Sequence, residues 1–153
     1  MKTNDPEMSS QEHQTADVKA NGWVWWCATR RLFAPTVKSN ILARLQPPSR
    51  PSRGEPNAFL DADMSYFNMA IHALCEQGVH DDEAECFLGI YWYNTHIKAL
   101  AAQQQCARGT IYNRARRFAQ RAESLSRSIR RVHESFVSEK CSKIIEQNSC
   151  ATD

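Results

Sequence analysis

Residues 97–117 read IKALAAQQQCARGTIYNRARR, and the spacing of their apolar positions decides the fold. Ile97, Leu100 and Ala101 give a short helix one inward face, and Ile111 and Ala115 open the inward face of a second helix. Gln105, Cys106 and Ala107 fall between the two as a turn. Ala101 is small where two helices must cross closely, and Leu100 and Ile111 fill the space between them. Ala101, Gln105 and Ile111 fit the fifth, ninth and fifteenth positions of a helix-turn-helix, with Gln105 standing where glycine is usual. The motif as a whole is assigned to residues 96–122.

The second helix of such a motif enters the major groove, which makes Arg108, Thr110, Tyr112, Asn113, Arg116 and Arg117 the candidate DNA contacts. Arginine pairs in bidentate fashion with guanine O6 and N7, asparagine does so with adenine, and Thr or Tyr hydroxyls reach phosphates. The plainer alternative is an amphipathic helix with a solvated arginine face. Charge along the chain bears on this choice. The net charge is only +2, yet residues 55–97 carry eight acidic side chains and no Lys or Arg, whereas residues 98–131 carry nine basic side chains against Glu123 alone.

Downstream, Ile111, Ala115, Phe118, Ala122, Leu125, Ile129, Val132 and Phe136 alternate by fours and threes. The pattern predicts a helix of about 25 to 30 residues, on the order of 40 Å long. Its far half is expected to pack on another element or another chain. The pattern fades after Glu139, so residues 139–153 are expected to form a frayed tail. Upstream, Met64, Phe67, Ile71, Leu74 and Cys75 predict a helix capped by Asp61 or Asp63 and ended by Gly78. His80-Asp81-Asp82-Glu83 predicts the next helix start, because carboxylates favour the positive end of the helix dipole. Phe87, Leu88, Ile90, Tyr91 and Trp92 would supply its buried face. Asn94-Thr95 breaks the run, and Thr95 is expected to cap the helix from His96 to about Gln103.

Nearer the start, Trp23, Trp25 and Trp26 belong to a Trp-rich helical segment over residues 21–45, including a short helix from Val37 to Leu45. Residues 46–58, with four prolines and a glycine between Gln46 and Asn57, predict an irregular loop. Residues 1–20 are polar without periodicity and predict a disordered arm. The expected fold is all-α: that arm, a helical DNA-binding domain over residues 59–138, and a long C-terminal helix.

A chain of 153 residues holds one ordinary domain, which excludes large multi-domain enzymes. It contains no glycine-rich phosphate loop, nucleophile elbow or metalloprotease motif, so no enzyme is expected. Six cysteines without a CxxC pair, together with a first segment lacking an apolar run, predict reduced thiols in the cytoplasm and no membrane partner. His72, Cys75, His80 and Cys86 are zinc-ligand types, but their spacing matches no common module and no cofactor is expected.

The segment DDEAECFLGIYWYN, followed by HIKALAAQQQCARGTIYNRARRFAQRAESL, resembles region 4 of bacterial sigma factors. More narrowly, residues 22–130 resemble the compact lambdoid phage late antitermination Q proteins. The shared order is Trp23 to Trp26, the Pro47–Pro56 loop, Asp61 to Asp63, Leu100-Ala101, Thr110-Ile111 and Arg114. The resemblance implies a bacteriophage late-gene regulator acting in the bacterial host. Such a protein binds double-stranded DNA near a late promoter and engages RNA polymerase holoenzyme, which then reads through terminators. It assigns the DNA contacts to Arg108, Thr110, Tyr112, Asn113, Arg116 and Arg117, and transfers no polymerase-facing surface. A dimeric helix-turn-helix repressor or activator, and a ring-forming small terminase subunit, are the alternatives.

Overall fold

The computed structural model describes residues 10–30, 32–35, 37 and 61–149. Among them the chain forms five α-helices, one π-helical turn and no strand. The helices are α1 (Ser10–Arg30), α2 (Ala62–Gln77), α3 (Asp81–Phe87), α4 (Ile97–Gln103) and α5 (Arg108–Ser149), and the π turn spans Leu88–Trp92. None of them is long and apolar enough to cross a membrane.

The all-α expectation holds, but the first helix begins earlier than its polarity suggested. Residues 10–20 are the first half of α1 rather than a disordered arm, and residues 1–9 of that expected arm lie outside the described residues. Ala16 and Ala20 continue, at a spacing of four and three, into Trp23 and Cys27, and all four are buried. Alanine buries little area but permits close approach, so a stripe of small residues docks a helix that lacks large apolar ones. Trp25 faces outward at 57% exposure, and the tryptophan cluster is therefore only partly core. The short helix expected from Val37 to Leu45 lies outside the described residues apart from Val37, which is not helical. The loop at residues 46–58 also lies outside them.

Asp61 is the N-cap of α2, its Oδ1 accepting from the Met64 amide at 3.1 Å. Gly78 ends the helix at φ 69°, a left-handed conformation that costs glycine nothing. Trp23, Phe67, Phe87 and Phe118 are fully buried, each stabilising the fold by about 1.5–3 kcal/mol by area. The Trp23 ring lies 5.6 Å from Phe87 and 5.2 Å from Trp92, and Phe87 lies 5.0 Å from Phe118. The Trp23 indole N–H donates to Asn68 Oδ1 at 2.9 Å, which satisfies the one polar atom this burial would strand.

The run expected after Phe87 is helical, but its hydrogen bonds lengthen by one residue. The Tyr93 amide donates to the Leu88 carbonyl at 2.9 Å, closing a π turn. Asn94 follows at φ 48° and ends the element. The cap expected at Thr95 is not made: His96 is the N-cap residue of α4, and the Thr95 hydroxyl is buried without a partner. Helix α5 runs 42 residues, about 63 Å, well beyond the expected 25 to 30. The tail expected to fray from residue 139 is helical as far as Ser149.

Candidate nucleic-acid interface

Helices α4 and α5 are joined by Gln104 to Ala107. The Gln104 and Cys106 amides donate to Leu100 and Ala101 carbonyls at 3.0 Å, and the Thr110 amide closes on the Ala107 carbonyl at 3.0 Å. Gln105 adopts φ 50°, the left-handed conformation that motivates glycine at that position. The turn is made despite the side chain, which is exposed. Leu100, Ala101, Ile111 and Ala115 are buried where the two helices meet the rest of the fold, as their spacing predicts.

The six candidate contacts do not stand equally. Arg108, Tyr112 and Asn113 are exposed, and Thr110 is half-buried in the first turn of α5. Arg108 and Tyr112, like Gly109 and Asn113, are four residues apart and share a side of the helix. A Cβ added at Gly109 would meet nothing, so this surface is open. Arg116 points back toward α1. Its guanidinium pairs with Asp17 Oδ2 at 3.4 Å and lies 5.8 Å from the Tyr112 ring, leaving its side chain only 20% exposed. Arg117 is half-buried in a polar cleft of about 400 Å³ lined also by His80, Asp81, Asp82, Glu83 and Arg114.

Folding therefore consumes much of the basic stretch. Arg121 pairs with Glu83 at 2.8 Å, Arg130 with Asp63 and Glu134, and Arg127 with Glu123. Arg114 donates to Gln104 Oε1 at 2.6 Å. Lys98, Arg108 and Arg131 are exposed with no acidic partner among the described residues. Lys98, on the solvent side of α4, is a phosphate candidate absent from the sequence-derived set. Its signal was its place two residues before Leu100, away from the buried face.

Behind the surface, Gln104 ties the turn to α3. Its Nε2 donates to the Asp82 carbonyl at 3.1 Å and to Glu85 at 3.3 Å, while its Oε1 accepts from Arg114 and from the Cys86 thiol. Burial pushes the Glu85 carboxyl above its ordinary range, and the Gln104 hydrogen bond partly opposes that shift. Cys75 and Cys86 are buried, with thiols pushed up to about 12 chiefly by desolvation. Among the described residues no group of three or more His, Cys, Asp or Glu side chains converges to hold a metal. Set against known protein families, curated proteins and solved structures, the chain has no match in any of the three.

Proposed function

We propose that this chain is a double-stranded DNA-binding transcription factor that uses α4 and α5 as a helix-turn-helix. The observation that carries the reading is the left-handed Gln105 in a four-residue turn, which leaves Arg108, Tyr112 and Asn113 outward at the start of α5. Arg108 and Asn113 supply base-edge chemistry, Thr110 and Tyr112 supply hydroxyls, and Lys98 supplies a phosphate contact from the first helix. Arg117 borders this surface. Arg116 belongs to the set only when it leaves Asp17.

The sigma-region-4 and late-antiterminator resemblance makes the more specific proposal that the bound protein modifies RNA polymerase so that it reads through terminators. The test is single-round transcription by bacterial holoenzyme from a phage late promoter with an intrinsic terminator downstream. Readthrough that needs both the promoter-proximal DNA and Arg108 supports antitermination. Unchanged termination with specific DNA binding intact supports a repressor or activator, and a ring-sized mass in solution supports a small terminase subunit.

A further inference from the structure

From Arg131 to Ser142 every residue of α5 is exposed, and the helix continues to Ser149. Helices in proteins draw most of their stability from packing an amphipathic face. Such a face is present here. Val132 and Phe136 are 55% and 61% exposed, and they extend by threes and fours the stripe of Phe118, Ala122, Leu125 and Ile129. Upstream, that stripe joins the core of the chain's own fold. Cover by α2 ends near Tyr66, whose hydroxyl lies 2.7 Å from His133 Nδ1. The uncovered stripe is thus a direct continuation of an established packing face.

We propose that a second copy of this chain covers it, its α5 running antiparallel and crossing near residue 134. The contact is then isologous and closes on a dimer. Val132 of each copy lies level with Phe136 of the other, so a small and a large apolar residue interlock at both layers. Charge selects this direction over a parallel pair. The next position along the stripe after Phe136 is Glu139, which a parallel arrangement would set against its own copy. The antiparallel crossing instead brings Glu139 level with Ile129 of the second copy. That is about 3 Å along the axis from the level of Arg131, well inside a Debye length of about 8–10 Å. Arg131 and Glu139 have no oppositely charged partner among the described residues of one chain, so each gains an unlike-charged neighbour.

Sedimentation equilibrium of the full chain tests the proposal without DNA, so its outcome is separate from that of the nucleic-acid reading. The expected result is a species of twice the 17.5 kDa chain mass. Val132→Glu with Phe136→Glu is expected to return it to the monomer mass, with core stability unchanged because both side chains are exposed. Direction is read by spin labels on the exposed Cys141, with Cys106 and Cys150 replaced by Ser. Antiparallel helices crossing at residue 134 offset the two labels by about 21 Å along the axis, whereas parallel helices set them side by side. A chain that stays monomeric up to about 100 μM, a regime that still detects weak association, overturns the proposal. A dimer untouched by the double substitution, or labels lying side by side, does the same.

Discussion

Asp17 and Arg116, ninety-nine positions apart, join the first helix to the fifth through a 3.4 Å contact between carboxylate and guanidinium. The other Asp17 oxygen accepts from the Tyr91 hydroxyl, so one carboxylate ties α1, the π turn and α5 together. Asp17→Asn removes the charge but keeps an acceptor for Tyr91. It is expected to lower stability by about 1 kcal/mol, the scale of a partly exposed pair. Urea unfolding checks this, and an unchanged midpoint would mean that the pair contributes nothing net.

Arg108 is expected to carry more of the DNA affinity than Arg116, because only Arg108 is exposed and without an acidic partner. Arg108→Ala should weaken binding to the specific site by about 1–3 kcal/mol, the cost of one lost base contact. Arg116→Ala should leave that affinity nearly unchanged. Equal losses from both substitutions would show that the Asp17 pair opens on binding.

Gln105 holds a left-handed conformation that costs a non-glycine residue roughly 1–2 kcal/mol. Gln105→Gly relieves it at the expense of extra freedom in the unfolded chain, and the net gain should be about 0.5–1 kcal/mol. Thermal melting reads this as a raised midpoint. A lowered midpoint would mean that the glutamine side chain makes a contact worth more than the strain.

Glu85 offers a test against pH. Its folded-state pKa is raised by burial, so the native state binds the proton more tightly than the unfolded chain and stability falls as pH rises through the carboxyl's range. Glu85→Gln removes that loss while retaining an acceptor for Gln104. The variant should therefore gain on the natural protein as pH rises from about 4 to 7, a span that begins near the ordinary carboxylate value. Equal pH profiles of unfolding free energy for the two proteins would refute the assignment.

Thiol reactivity should divide the cysteines by burial. Cys27, Cys75 and Cys86 have thiols pushed up to about 12, while Cys141 is exposed on α5. Alkylation of native protein near pH 8, below an ordinary thiol's value of about 8.5, should modify Cys141 and spare those three. Peptide mass spectrometry reads the pattern, and rapid labelling of Cys27 would show that α1 opens from the core.

Large apolar residues at helical spacing made α2 and the inner face of α5 legible in the sequence, and Gly78 and Asp61 marked the ends of α2 through known backbone chemistry. The first half of α1 was not legible, because Ala16 and Ala20 carry its packing face and look unremarkable among polar neighbours. The π turn was hidden as well, since a shift of one backbone hydrogen bond leaves no side-chain signature. The candidate site was half legible. The Leu100, Ala101 and Ile111 spacing located the two helices and their turn, yet the partners that neutralise Arg116, Arg121 and Arg130 come from Asp17, Glu83 and Asp63, and only the folded chain brings these together.

The π turn at Leu88–Trp92 amounts to one residue more than an α-helix would use over the same rise. Each α-helical residue turns the chain by about 100°. A gene lacking one codon in this stretch would encode a plain α-helical turn over the same rise, with Gln104 still in reach of Glu85. The same loss within α3, which has no spare residue, would swing everything downstream by that angle. The π turn is therefore the place, some twenty residues before α5, where the chain can change length without re-aiming the candidate interface.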